Sequence, residues 1–144
     1  MTDPEFLKQF LDRTLPFDQW THRAHLRTAY LLLLESPLPE AIERARDGIQ
    51  TYNKANHRPE SQLEGYHETM TQSWMHLMET ALREFGPAES AEAFLEKQHQ
   101  LTDKRALLFF YSRDHIMSSE AKQRFVEPDL APLPVSQKPA AWLK

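Results

Sequence analysis

The stretch Trp20–Ser36, WTHRAHLRTAYLLLLES, decides the fold. Wound at about 100° per residue, Leu26, Ala29, Tyr30, Leu32 and Leu33 share one arc, and Arg23 and Arg27 lie off it. That is the period of a helix with one buried face. No part of the chain alternates convincingly with the period of two that marks a half-buried strand. Two polar residues interrupt the pattern: His22 falls near the middle of the apolar arc and His25 on its flank. A buried polar group without a partner costs about 1–3 kcal/mol. The same stretch therefore raises a question of function.

The flanking segments read as helices too. Asp3, Pro4 and Glu5 form a helix start, with Asp3 as cap and Pro4 at the first helical position, and this helix runs to about Asp12. Leu15-Pro16-Phe17 turns the chain. Asp18 is placed to cap the second helix, which ends near Glu35. Ser36-Pro37-Leu38-Pro39 leads to a third helix ending near Asn56, where His57-Arg58-Pro59 stops it. Ser61 and Glu64 have capping-box spacing and predict the start of the fourth and longest helix, which ends at Gly86-Pro87. A fifth helix spans roughly 88–98. A sixth begins after Thr102 or Asp103 and carries ALLFFY, and a short one covers about 119–124. Only three glycines occur in 144 residues, and β-branched residues are few. The expectation is an all-α, single-domain antiparallel bundle of about six helices over 1–126. A Pro-rich tail, 127–144, lies extended on it or frays from it.

Composition removes several classes of function. The formal charge is -4 and the basic residues are scattered, which excludes a nucleic-acid surface. There is no cysteine, hence no disulfide, thiolate metal site or thiol nucleophile. The longest apolar run, Ala29–Leu34, is too short to span a membrane. MTDPEFLKQF lacks the basic and apolar regions of a signal peptide, so a cytoplasmic setting is expected. No glycine-rich phosphate loop or serine elbow is present.

Helical phase then gathers polar residues. In the fourth helix the apolar arc holds Leu63, Met70, Trp74, Leu77, Met78, Ala81 and Phe85, with His67 at its centre. Thr71 lies inside the arc, Glu64 toward its edge and Glu68 further round. In the third helix Asn53 and Asn56 project into an arc of Ile42, Ala45, Ile49 and Tyr52. Short loops make neighbouring helices antiparallel. The start of the second helix, the end of the third and the start of the fourth then share one end of the bundle. His22, Asn53, Asn56 and His67 form a polar layer there within roughly one helical turn of height. His25, Glu64, Glu68 and Thr71 surround it. Beyond it, toward Leu33, Ile42 and Phe85, the core is apolar.

Three chemistries suit such a layer. His22, His25 and His67 make a set of neutral imidazoles that fits zinc, iron, nickel or copper, with Glu64 or Glu68 bonding the second ring nitrogen. Without a metal, His22 or His67 beside Glu64 or Glu68 is a general acid–base pair near neutral pH. The third chemistry is a hydrogen-bonded core that only fixes helix register. Glu64-x-x-His67 and Glu96-x-x-His99 have the spacing of a di-iron carboxylate bundle. The second and third helices supply no matching carboxylates, and that reading is set aside. Arg113, in YSRDH, is a candidate clamp for an anion.

The segments WTHRAHL, the Tyr52-Asn53 pair and Asn56, GYHETMT and FVEPDLAPLP together resemble an uncharacterised group of small helical bacterial proteins. The resemblance extends from about Phe17 to Pro134. It implies a helical fold and a bacterial cytosolic setting, and it joins Trp20, His22, His25, Asn53, Tyr66, His67, Glu68 and Thr69 into one signature. It implies no substrate.

The expectation is a protein that binds a small polar or anionic molecule, with enzyme activity favoured over passive binding. His22, His67 and Glu68 are its catalytic candidates. Asn53, Asn56, Glu64, Tyr66 and Thr71 are its binding residues, and His22, His25 and His67 the ligands of a divalent metal if one is used. The rivals are a non-catalytic ligand-binding or sensing module, and a structural protein or homo-oligomer whose histidines are only core.

Overall fold

Helix starts in this chain are set by side chains that satisfy the first free backbone N–H groups. The computed structural model describes residues 1–143; Lys144, the end of the expected tail, lies outside them. Seven α-helices follow one another: α1 (Asp3–Asp12), α2 (His22–Glu35), α3 (Leu38–Ala55), α4 (Glu68–Phe85), α5 (Ala91–Lys97), α6 (Arg113–Ile116) and α7 (Ser119–Gln123). Short 3-10 turns occupy Phe17–Gln19, His99–Thr102 and Lys104–Phe109. No strand occurs among the described residues, and the all-α expectation holds.

Three starts differ from the sequence expectation. Thr2, one residue before Asp3, caps α1 and forms a reciprocal capping box with Glu5. The Asp18 region makes only a 3-10 turn, and Thr21 caps α2 by accepting the Ala24 N–H at 3.2 Å. The largest difference is at α4. The Ser61 hydroxyl does accept the Glu64 N–H, at 3.2 Å, but Ser61 N–H also donates to the Glu64 carbonyl at 3.0 Å. The pair closes a turn instead of opening a helix. Gly65 follows at φ +96°, a left-handed conformation that stops helical propagation, and the Glu60 carboxylate takes the Tyr66 N–H at 3.1 Å. The helix starts only at Glu68, so Leu63 and Glu64 are exposed loop residues.

The expected sixth helix is a 3-10 turn, and the separate one-turn α6 follows it. Phe85, expected in the apolar core, is exposed at the end of α4.

The core is packed by α2, α3 and α4, with α1 against α2 and α3, α5 against α2 and α7 against α4. The start of α2 and the end of α3 do share one end of the molecule. The Tyr52 hydroxyl donates to the Leu15 carbonyl at 2.7 Å, and the Trp20 and Tyr52 rings lie 5.1 Å apart. Trp20 also stacks on Phe10 at 5.0 Å. Phe10 in turn presses on Gly48, where an added Cβ would come within 2.7 Å of its ring.

Among the described residues no helix follows Gln123. Its carbonyls take hydrogen bonds from α4: Thr80 donates to Pro134 and Arg83 to Lys138. Trp142 Nε1–H donates to the Leu33 carbonyl at 2.8 Å. No helix among the described residues is long and apolar enough to cross a membrane.

Candidate functional site

At the end of the bundle where α2 begins and α3 stops, a cavity of about 640 Å³ opens. Its floor is Thr28 and Ala29 from α2, Ala45, Ile49 and Asn53 from α3, and Met75 from α4. Phe17, Trp20, Met70 and Trp74 form aromatic and thioether walls. The Lys104–Leu108 turn and α6 close the far side with Leu107, Ile116 and Met117. Arg58, Glu64, Lys104, Arg105 and Arg113 stand exposed around it. Among the described residues none beyond Met117 lines the cavity.

Of the residues expected to form or surround a polar layer, His22, His25, Asn53, Glu64, His67 and Thr71 line this space, as does the binding candidate Tyr66. Asn56 does not. It ends α3 and turns its amide back to the Tyr52 carbonyl at 2.9 Å, as the local bonding of asparagine favours. Glu68 does not either. Starting α4 at residue 68 points its carboxylate the other way, toward Arg46, which donates Nε–H and Nη2–H at 2.9 and 2.7 Å. The Tyr66 hydroxyl adds a third bond at 2.7 Å and Gln72 a fourth. Arg46 first, with help from Gln72 and Tyr66, holds the Glu68 carboxyl down at about 2. A carboxylate so fixed is a structural anchor and not the acid–base partner the sequence suggested.

The three histidines are unlike one another. His67 is the N-cap of α4: its Nδ1 accepts the Met70 N–H at 3.1 Å, and its Nε2–H donates to the Ile116 carbonyl at 2.8 Å. Both nitrogens are spent. Burial lowers its pKa, partly offset by the Ile116 bond. His22 donates Nε2–H to the Leu101 carbonyl at 3.1 Å and meets Trp74 edge-on, with ring centroids 4.7 Å apart. His25 donates Nδ1–H to the Thr21 carbonyl at 2.8 Å, and its ring lies 4.0 Å from that of Trp20. Desolvation lowers the pKa of both, His25 the further, to about 4. The flank position inferred for His25 underestimates its environment, because Trp20 folds over it. Burial favours the neutral form of both rings, and each has one nitrogen that makes no hydrogen bond among the described residues.

Among the described residues no three His, Cys, Asp or Glu side chains converge to hold a metal ion. The expected His22, His25 and His67 ligand set is not assembled, because His67 turns both nitrogens to the backbone. Neither Glu64 nor Glu68 hydrogen-bonds any of the three rings; backbone carbonyls do instead.

Asn53 is 9% exposed, and its amide makes no hydrogen bond among the described residues. No side-chain nitrogen or oxygen there is sealed away without a partner, so the Asn53 amide opens on the cavity. A second, shallower groove of about 710 Å³ lies on the other side of Tyr66. Its charges are already paired: Arg46 with Glu68, Lys122 with Glu60 and Arg124 with Glu120.

Sequence reasoning missed Arg58, Lys104 and Arg105, and the carbonyls of Leu101 and Ile116 that orient the rings. Nothing local marks these residues; the turn after α3 brings in Arg58, and the path of the 99–117 segment across the open end of the bundle brings in the others. No family model, curated protein or solved structure matches this chain.

Proposed function

We propose that the protein binds a small polar or anionic organic molecule in the cavity between α2, α3 and α4, and acts on it by acid–base chemistry. The observation that carries this reading is the set of polar atoms left over in a largely apolar wall: one nitrogen each on His22 and His25, and the whole Asn53 amide. A few unsatisfied polar groups in an apolar concavity of this size are the usual make-up of a ligand site. Groups of this kind cost stability unless something satisfies them.

His25 is the candidate base. Its Nδ1 proton is fixed on the Thr21 carbonyl, so its lone pair stands on Nε2, the tip of the ring. A pKa of about 4 leaves that lone pair available throughout the physiological range, at the cost of weak basicity. His22, three residues before it on α2, holds its own proton on the Leu101 carbonyl and offers Nδ1 as a second proton acceptor. His67 and Glu68 take no part in this chemistry; they hold α4 and its neighbours in place.

The test is a fragment screen followed by thermal shift and NMR, on the wild-type chain and on Thr71→Trp. Thr71 is half-buried on the cavity wall, and the larger side chain fills the space. Fragments that stabilise the wild-type chain and not the filled variant support the reading. A screen in which no fragment separates the two proteins overturns it.

A further inference from the structure

The unsatisfied atoms also define what kind of molecule fits. A carbonyl oxygen only accepts, so the ring nitrogen facing it must carry the proton. Leu101 thereby fixes the His22 proton on Nε2 and leaves a lone pair on Nδ1, and Thr21 fixes the His25 proton on Nδ1 and leaves a lone pair on Nε2. The cavity therefore offers two acceptors that cannot donate. Asn53 can do either, being nine-tenths buried with no protein partner among the described residues. The group that best answers two such acceptors is a donor, a hydroxyl or an N–H.

The mouth carries the opposite demand. Arg58 faces Glu64 at 3.9 Å, and Arg105 is held by Asp103 at 3.0 Å. Lys104 and Arg113 have no carboxylate within salt-bridge distance among the described residues. Two uncompensated cations beside an apolar space favour an anion, and Arg offers a planar fork suited to a carboxylate. Between mouth and acceptors, Trp20, Trp74 and the two thioethers of Met70 and Met75 form surfaces on which a flat ring packs well.

We propose that the ligand is a ring-bearing organic acid with a protic group. Its ring lies among Trp20, Trp74 and the methionines, its hydroxyl or N–H donates to His22 Nδ1 or His25 Nε2, and its carboxylate reaches Lys104 and Arg113. This inference rests on the reading of the cavity as a ligand site. The volume suits a molecule of two rings better than one.

The test compares three probes by calorimetry at pH 7.5: 6-hydroxy-2-naphthoate, 2-naphthoate, which lacks the donor, and 2-naphthol, which lacks the anion. The hydroxy acid binds at least tenfold more tightly than either of the others. In Lys104→Gln/Arg113→Gln, both exposed positions whose replacement leaves the core alone, it falls to the affinity of 2-naphthol. In Asn53→Leu the acid keeps its preference over 2-naphthol but loses affinity. Equal binding of the hydroxy acid and 2-naphthol overturns the anionic part, and equal binding of the two acids overturns the donor part. In either case binding that disappears in Thr71→Trp leaves the ligand site itself standing. Absence of binding by all three probes overturns the ligand class, and the fragment screen then decides separately whether the cavity is a site.

Discussion

The first turn of α2 and the first turn of α4 border the same cavity, and both carry an imidazole. At α4 the chain uses His67 completely: one nitrogen caps the helix and the other ties α4 to the carbonyl before Met117. At α2 the cap is a threonine, Thr21, which frees His22 and His25 from that duty. Each binds one carbonyl and keeps one lone pair. The same contrast separates Glu68 from Asn53. The carboxylate takes four hydrogen bonds from three side chains, whereas the similarly buried amide has no partner among the described residues. Burial of a polar group thus says little by itself. What it is bonded to distinguishes a part of the framework from a part of the site.

This contrast makes substitutions on the two sides behave differently. The largest loss of stability is expected at the α4 anchor. Glu68→Ala leaves Arg46 and the Tyr66 hydroxyl without their acceptor. Arg46 is about a third exposed, so the cost is moderated to about 3 kcal/mol, read from urea unfolding. If the variant is as stable as wild type, the anchor role is wrong.

Acid gives the next largest effect and separates the two regions by pH. His25 has a folded pKa of about 4, below the ordinary value of 6.5, so the folded protein keeps it neutral while the unfolded chain takes up a proton. Stability is full above about pH 6.5 and falls by up to about 3 kcal/mol as pH drops toward 4. Glu68, held near 2, adds its loss only between about pH 4.5 and 2. His25→Gln should shrink the loss in the upper window to the part that His22 and His67 contribute, their pKa values being lowered by burial too, and leave the lower window unchanged. An unchanged upper window in that variant would show that His25 is not desolvated.

A smaller effect, about 1–2 kcal/mol, is expected for His67→Ala, which removes both the helix cap and the Ile116 bond; His67→Asn restores the cap and recovers part of it. Smallest in stability is Asn53→Leu. Replacing an unpaired buried amide by an apolar side chain of similar size should leave stability unchanged or raise it by about 1 kcal/mol, while weakening ligand binding. A marked loss of stability would mean that Asn53 has a structural partner after all.

Much of this was legible in the chain itself. The period of 3.6 in Trp20–Ser36, the stop at Gly86-Pro87 and the short connection at Ser36–Pro39 suffice for the all-α bundle and for bringing the ends of α2 and α3 together. The gathering of His22, Asn53, His67 and Thr71 follows from phase and antiparallel order. The roles of His67 and Glu68 do not follow, because they depend on where α4 starts. Ser61 and Glu64 carry the capping spacing, yet Gly65 at positive φ and the Glu60 carboxylate on Tyr66 N–H close a turn instead. A shift of six residues turns a mid-helix histidine into a cap and swings Glu68 from the cavity to Arg46. The carbonyls that orient the rings belong to distant backbone, and no side-chain pattern encodes them.

The distinction between the open and the closed histidines is measured most directly by NMR of the imidazole nitrogens, free and with 6-hydroxy-2-naphthoate. The account predicts three neutral rings at pH 7, with the proton on Nε2 in His22 and His67 and on Nδ1 in His25. On addition of the acid, the unprotonated nitrogens of His22 and His25 shift, and both nitrogens of His67 stay where they are. A His67 that responds while His22 and His25 do not, or a His25 protonated at pH 7, would contradict it.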